Sequence, residues 1–418
     1  LLGAAAMARI DALLGLIGAV GFLGLWLIAD RRRDGRLLVA LVVPMLVGVA
    51  VSGADGWVNG QSYVRSQAGD LIGEFALLGL VALGLGAWAV IDRRWRPGLR
   101  AAWVRRRGPA AVTLVVLIVA AAGLALFVRP HVQHAAGLPT AELTEGYQRG
   151  EGLAINGRRS YDEWSTVWLV WYLGVVGFAA ALAGGAWLVH RLVRGGANRV
   201  EALLLAVLVP PLIVYLYKPS IYPDQPWASR RFLPEIFPLL VVLACWCGAR
   251  LWEQRGRRAV AGRVLAAGLG AGILLLPLLA LRPIWRFRTY NDSLGQVDQV
   301  CDALPPDAAV LMVGDPAQTY TRVIGVRCSV PAASIVRHGG RATSRQVASI
   351  AAGWRRAGRA LWLVSPVPDD LAALGVTDAQ RFDRIETTAL HGSLLHRPDT
   401  FVTTRTTFVV APAVPRRG

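Results

Sequence analysis

Eight long apolar stretches dominate the first 282 residues of this chain. The hydrocarbon core of a bilayer is about 30 Å thick, so a helix needs about 20 apolar residues to cross it. Only 17% of the residues are charged, well below the roughly 25% that is usual for a soluble domain. We therefore predict an α-helical polytopic membrane protein with about eight transmembrane helices. The predicted spans lie near 13–29, 37–53, 71–91, 110–128, 166–189, 202–217, 233–252 and 264–282.

Positive charge alternates between the gaps that separate these spans. The gaps at 31–36, 93–107, 190–199 and 249–263 contain 19 arginines, and those at 54–70, 130–163 and 218–231 contain seven lysines or arginines. Loops rich in Lys and Arg stay in the cytoplasm, so we predict that the first set is cytoplasmic. The second set, and everything after residue 282, is predicted to lie outside a multi-pass cell-membrane protein. The net charge of +18 then indicates topology rather than nucleic-acid binding.

The beginning of the chain suggests that it continues an earlier segment. It starts Leu1-Leu2-Gly3, and its first eight residues are apolar. The first span lacks a cleavage-site pattern and leads directly into further spans, so it is not a signal peptide. We interpret the chain as an N-terminally truncated fragment.

A composition change at Arg282-Pro283 marks a second domain, predicted to be an extracytoplasmic α/β domain over 283–418. The apolar runs 308–313 and 360–365 are typical of buried strands, and 342–356 has the apolar spacing of an amphipathic helix. The less regular alternation at 401–410 predicts an edge strand.

Two short features of this second domain bear on ligands and stability. Gly314-Asp315 follows the first predicted strand, where open α/β sheets bind ligands, although a turn with a helix-capping aspartate is the favoured interpretation. Cys301 and Cys328 are candidates for a disulfide, which would contribute about 3 kcal/mol in the loop-entropy model. Cys245 and Cys247 lie within a span and are expected to be packing residues.

The gap at 218–231 is the most polar predicted outer connection. Arg230 and Arg231 are adjacent, and forked guanidinium groups suit a phosphate or pyrophosphate. Tyr222 and Trp227 suit the membrane interface, where they can also stack on a sugar. The alternative is a cationic anchor with an aromatic belt that merely seats the seventh helix.

A second cluster, Tyr161-Asp162-Glu163-Trp164, precedes the fifth span. Its adjacent carboxylates can position a sugar hydroxyl or act as a base. Acidic residues also cap helix N-termini well, and the two roles are compatible.

The segments SYDEWSTVWLVWYLG (160–174) and YLYKPSIYPDQPWASRRFLPEIFP (215–238) resemble actinobacterial membrane proteins of the GT-C glycosyltransferase superfamily, which use polyprenyl-phosphate sugars. The similarity covers roughly residues 110 to 290. Its most specific part is the DQxWAxRRF core, formed by Asp224, Gln225, Trp227, Ala228, Arg230, Arg231 and Phe232.

This resemblance implies transfer of a sugar from a polyprenyl-phosphate donor to an envelope glycan, lipid or protein on the outer face, often with a divalent metal such as Mg or Mn. The family's acidic base lies in an early outer loop that this chain does not show, so the catalytic residue is unassigned, with Asp162, Glu163 and Asp224 as weak candidates. The implied donor-binding residues are Lys218, Tyr222, Asp224, Gln225, Trp227, Arg230 and Arg231.

Two other functions are compatible with the same residues. One is a non-enzymatic scaffold or envelope-assembly protein, in which the outer domain binds a partner and the arginines bind membrane lipids. The other is a transporter of lipid-linked sugars, which would require a polar path through the spans. The middle of the spans lacks chains of Asp, Glu or His, so we place the transporter last.

Overall fold

The computed structural model divides the chain into two compact units. The first contains Leu1–Arg282 together with Gly392–Arg397, and the second contains Pro283–His391 and Pro398–Gly418. The division at Arg282 coincides with the change in composition, but residues 392–397 belong to the first unit rather than the second. The structure describes residues 13–29, 35–66, 68–133, 141–219, 229–234, 236–282, 285, 293–314, 317–335, 343–376, 379–390, 394–397 and 401–413.

The first unit is helical through most of each predicted span, and the helix of the seventh begins at Ile236. Its helices are α1 (Leu13–Ala29), α2 (Gly35–Asn59), α3 (Gln61–Ser66), α4 (Ala68–Phe127), α5 (Ala141–Gly150), α6 (Ser165–Arg194), α7 (Arg199–Tyr217), α8 (Ile236–Trp252) and α9 (Ala259–Leu281). Short 3-10 turns lie at Arg129–His131, Asp162–Trp164, Ser229–Arg231 and Gly256–Arg258.

One helix differs from the expected arrangement. The third and fourth predicted spans belong to the single 60-residue helix α4, and the gap at 93–107 is helical rather than a loop. That gap is rich in Arg, Ala, Leu and Trp, all of which a helix accommodates, and its single Pro-Gly pair does not end the helix.

Within the part of the chain that the structure describes, four helical segments are long and apolar enough to cross a membrane: Val104–His131, Asp162–Arg194, Arg199–Tyr217 and Gly256–Leu281. Large apolar side chains on these and neighbouring helices are exposed, among them Leu83, Val116 and Leu274. Extended exposed apolar surface is what a lipid-facing helix presents. These features are consistent with a membrane protein.

Small residues allow the helices of the first unit to pack closely. A Cβ at Gly18 of α1 would overlap the Ala206 carbonyl of α7, and one at Gly184 of α6 would overlap the Leu243 carbonyl of α8. Close approach through small residues is the usual way in which membrane helices associate. Helix α6 contains a break at Gly174, whose φ of 71° suits glycine.

The second unit is a three-layer α/β fold built on a five-stranded sheet. Its strands lie in the order β2-β1-β3-β5-β4, with β1 parallel to β2 and β3, and β5 antiparallel to β3 and β4. Alternate residues of the strands point to separate apolar clusters on the two faces. The elements are α10 (Ser293–Asp302), β1 (Ala308–Met312), α11 (Ala317–Arg327), β2 (Ala332–Ser334), α12 (Ser344–Arg356), β3 (Ala360–Ser365), α13 (Pro368–Ala372), β4 (Gln380–Leu390) and β5 (Phe401–Pro412).

The prediction of an edge strand at 401–410 was wrong. Strand β5 lies between β3 and β4, since Val410 is paired with both Val364 and Gln380. The residues from Phe408 to Ala411 are all buried, because this half of the strand is covered on both faces. A strand buried on both faces loses the apolar-polar alternation by which strands are recognised.

Helices α10 and α11 are joined by a covalent bond and an ion pair. Cys301 and Cys328 form a disulfide with a Cα–Cα distance of 4.9 Å. Nearby, Arg327 Nε and Nη2 donate to the two carboxylate oxygens of Asp298 at 2.6 and 2.7 Å. These bonds lower the pKa of Asp298 below its ordinary value.

This lowered pKa predicts a pH-dependent contribution to stability. A depressed carboxyl pKa stabilises the folded state above the ordinary pKa of Asp, and the contribution is lost as the pH falls through the folded value. At neutral pH, we expect Asp298→Asn to speed amide hydrogen exchange in α11. The difference from wild type should shrink as the pH falls below the ordinary pKa of Asp, and a difference that does not shrink would contradict the ion-pair explanation.

Candidate functional site

Three helix ends of the first unit meet around Arg129, just beyond the end of α4. Its Nη1 donates to Ser165 Oγ at 2.9 Å and to the Leu216 carbonyl, and its Nη2 donates to the Tyr217 carbonyl at 2.8 Å. Ser165 Oγ in turn donates to the Leu216 carbonyl at 2.6 Å. The last carbonyls of a helix need such donors, so Arg129 fixes the end of α7 against the beginning of α6.

Two buried carboxylates lie beside this arginine. Asp162 is 6% exposed and Glu163 is fully buried, and the Arg129 guanidinium interacts electrostatically with both. Glu163 Oε1 accepts from Arg159 Nη2 at 2.8 Å and from Arg159 Nε at 3.1 Å. Buried charges are tolerated only when they are paired, and here two guanidinium groups surround two carboxylates.

The contacts separate the functions of these two acids. The N-cap of α6 is Trp164, which makes no side-chain capping bond, whereas Glu163 is held by Arg159. Glu163 therefore has a structural role, and Asp162 is the better candidate for contact with a substrate. In addition, the 3-10 turn that carries both acids packs against the end of α7.

The loop that leads to this turn is held rigidly. Tyr161 adopts a left-handed conformation with φ of 57°, which is uncommon for a residue with a side chain. Its hydroxyl accepts from Gln148 Nε2 at 3.0 Å, and its ring lies under Arg159 at 4.2 Å. Gln148 also exchanges two hydrogen bonds with the backbone of Asn156. Unusual backbone held by so many contacts is typical of functional sites.

The predicted donor-binding segment is described only in part. Arg231 lies with Cζ 5.8 Å from the centre of the Tyr215 ring, and Arg230 and Lys218 are exposed. Tyr222, Asp224, Gln225 and Trp227 lie outside the described residues. The buried residues Tyr161, Tyr215 and Phe232 share one apolar cluster, which brings the two sequence-predicted clusters to the same end of the first unit.

Four residues that organise this site were not predicted from the sequence: Arg129, Gln148, Arg159 and Ser165. A signal existed for Arg129, because it is a lone cation at the end of the strongly apolar fourth span and precedes Pro130. The other three are ordinary polar residues in the sequence, and only their contacts single them out.

Residues 394–396, which are distant in sequence, pack against the rest of the first unit through Glu151. The backbone amides of Leu394 and Leu395 donate to the Glu151 carboxylate at 2.6 and 3.2 Å, and His396 Nδ1 lies 3.3 Å from it. The Leu394 side chain is fully buried in the same apolar cluster as Tyr161. Residues 394–396 therefore help to hold the loop that precedes Asp162.

The second unit contains the turn that the sequence suggested for ligand binding, at Gly314-Asp315, and it is the weaker candidate site. Gly314, with φ of 90°, follows β1, and a Cβ there would collide with the Asp370 carboxylate. Ser365, at the end of β3, is buried and bonds with its hydroxyl to the backbone of Val367. Asp315 lies outside the described residues. The described contacts thus explain Gly314 as a tightly packed turn.

A divalent metal would need a cluster of ligand side chains. Within the described residues, no group of three or more His, Cys, Asp or Glu side chains is placed to hold one, and Glu163 is occupied by Arg159. We derive no step through a metal. Comparisons of the chain with protein-family models, curated proteins and solved structures find no match.

Proposed function

We propose that this chain is a membrane glycosyltransferase that moves a sugar from a polyprenyl-phosphate donor to an acceptor of the cell envelope. The observation that carries the proposal is that a buried acidic pair, Asp162 and Glu163, and the cationic 229–231 turn lie at the same end of the first unit, since their neighbours Tyr161, Tyr215 and Phe232 share one apolar cluster. An anionic lipid-linked sugar needs cations for its phosphate and a carboxylate for its reacting hydroxyl. The resemblance of residues 110–290 to GT-C enzymes supports the same class.

The donor phosphate is assigned to the cations at the end of α7 and in the next turn. Arg230 and Lys218 are exposed, and Arg231 is oriented by its contact with the Tyr215 ring. Guanidinium groups bind phosphate oxygens through paired hydrogen bonds. Because these residues end an apolar helix, they lie at the level where a lipid phosphate meets water. Asp224, Gln225, Tyr222 and Trp227 are proposed to complete the sugar contacts.

Asp162 is assigned to the acceptor hydroxyl. A carboxylate in that place accepts the hydroxyl proton as the oxygen attacks the anomeric carbon, while the polyprenyl phosphate leaves with the bonding electrons. The Arg129 guanidinium interacts electrostatically with Asp162, and Arg159 forms hydrogen bonds to Glu163. Asp162 is the catalytic residue in this scheme, and Arg129 and Arg159 are positioning residues.

The proposed function also requires a particular orientation of the chain in the membrane. We propose a multi-pass topology with the Asp162 end and the α/β unit on the outer side. This orientation rests on the charge difference between the gaps. It gives the lipid-linked donor access from the outer leaflet, and we assign acceptor recognition to the α/β unit.

The proposal is tested by donor binding and transfer with the reconstituted full chain. The probes are radiolabelled polyprenyl-phosphate mannose and polyprenyl-phosphate arabinose in vesicles. We expect Arg231→Gln to weaken binding of the active probe by about 10- to 100-fold, because one charge-assisted contact contributes about 1.5–3 kcal/mol. Arg230→Gln should have a similar but smaller effect.

Arg149→Gln is the matched control, since Arg149 is exposed and pairs with Glu145 outside the site. It should bind the donor as the wild type does. Wild-type protein that binds neither probe would overturn the proposal in favour of the scaffold. Equal effects of Arg231→Gln and Arg149→Gln would overturn the assignment of the phosphate site.

A further inference from the structure

Arginines mark one end of all four helices that are long enough to cross a membrane. The Val104–His131 segment begins with three successive arginines, the Asp162–Arg194 segment ends at Arg194, and the Arg199–Tyr217 segment begins at Arg199. The Gly256–Leu281 segment has two arginines in its first turn. The chain directions of these segments place all of these arginines at the end opposite the Asp162 site.

Contacts bring three of these helix ends together around the turn between α6 and α7. A Cβ at Gly195 would lie 3.9 Å from Arg107 Nη1, which comes from α4. Arg191 Nη2 donates to the Gly196 carbonyl at 2.6 Å. Arg199 lies with Cζ 4.7 Å from the centre of the Trp26 ring, at the end of α1. We call Arg107, Arg194 and Arg199, together with this turn, the arginine collar.

Glu201, near the beginning of α7, is held by arginines outside the collar. It is 5% exposed and is bonded to Arg250 at 2.9 Å and to Arg191 at 3.5 Å. The three arginines of the collar are exposed. Their guanidinium groups therefore lie at the surface, at the end of apolar helices.

The chemistry of a ligand here is restricted further by the beginning of α7. Asn198 and Glu201 form a capping box that satisfies the backbone amides of these two residues. We therefore assign the binding of an anion to the exposed guanidinium groups rather than to the helix N-terminus. Planar guanidinium forks suit the two free oxygens of a phosphodiester.

The distance along α4 places the collar at the second face of a bilayer. The 20 residues from Arg107 to Phe127 span about 30 Å of helix, close to the thickness of a hydrocarbon core. The Asp162 site and the collar thus lie at the two headgroup levels of one membrane. Exposed apolar side chains such as Val112 and Val116 continue from the collar along α4, where acyl chains would lie.

From this arrangement we propose that the arginine collar binds the headgroup of an anionic phospholipid in the leaflet opposite the Asp162 site. The lipid phosphodiester lies between Arg107, Arg194 and Arg199, and its acyl chains follow the apolar surface of α4. The site is independent of the proposed glycosyl transfer, because its residues make no contact with the substrate groups assigned above.

The test uses the full chain in nanodiscs of phosphatidylcholine with a minority of phosphatidylglycerol, followed by native mass spectrometry of the retained lipids. Wild-type protein should retain phosphatidylglycerol in preference to phosphatidylcholine. Each basic residue near an anionic surface contributes about 1 kcal/mol, or roughly fivefold. We therefore expect the variant Arg107→Gln/Arg194→Gln/Arg199→Gln to lose the preference by at least fivefold.

The matched control removes three exposed arginines of the α/β unit: Arg322→Gln/Arg345→Gln/Arg355→Gln. It changes the net charge equally and should retain the wild-type preference. Equal losses in the two triple variants, or a wild type without preference, would overturn the proposal. Displacement of the lipid by millimolar soluble glycerol phosphate would also overturn it. If the collar variant does not fold, Arg107→Gln alone should show a smaller loss, and wild-type retention in that variant would refute the site.

Discussion

Replacing Asp162 with asparagine is expected to lower sugar transfer by about 100-fold or more, the usual contribution of a positioned general base. The amide has nearly the same shape as the carboxylate but cannot accept the hydroxyl proton. The substitution keeps a polar group at a position that is 6% exposed, so the fold should be preserved. Initial rates with vesicle-reconstituted protein and radiolabelled donor measure the effect.

The effect should appear in the rate of transfer and not in donor binding, because the donor phosphate is assigned to Arg230 and Arg231. Glu145→Gln is the matched control, since Glu145 is a carboxylate of helix α5 paired with Arg149. It should leave transfer unchanged. An Asp162→Asn variant that retains wild-type transfer would remove Asp162 from the mechanism, whatever the binding results.

Replacing Glu201 with alanine is expected to produce the largest loss of stability in the first unit. The carboxylate accepts from Arg250 at 2.9 Å and from Trp246 Nε1 at 3.1 Å, and it also accepts from the Asn198 amide at 2.9 Å. Breaking a buried ion pair costs about 3–5 kcal/mol, and the Asn198 amide also loses its hydrogen bond to this carboxylate. Two arginines would then be left facing each other at the ends of α6 and α8.

We expect the melting temperature of the detergent-solubilised protein, followed by circular dichroism, to fall by about 10 °C, since 1 kcal/mol shifts it by about 2–4 °C in a domain of this size. Glu201→Gln should lose less, because the amide oxygen can still accept from Trp246 and from the Asn198 amide. Equal losses in the two variants would show that the hydrogen bonds matter less than the charge. An unchanged melting temperature in Glu201→Ala would contradict the role given to this cluster.

The candidate site was visible in the sequence only as separate pieces. Asp162 and Arg231 stood out because acids beside aromatics and adjacent arginines are conspicuous in an apolar chain. Their proximity could not be inferred, because it depends on Arg129, which bonds to a carbonyl 87 residues away. The sequence did not predict that Glu163 pairs with Arg159 either. This pair distinguishes the role of Glu163 from that of Asp162.

The positions of the apolar helices, the division at Arg282 and the α/β character of the second unit follow from the sequence by itself. Each depends on composition or periodicity within a short window, where burial of apolar side chains dominates the free energy. Tertiary structure alone decided that α4 runs unbroken through 93–107, that β5 is internal, and that Leu394 packs near Tyr161. The physical reason is that these features depend on partners far along the chain, such as Glu151 and Leu394, 243 residues apart, and local patterns do not specify such partners.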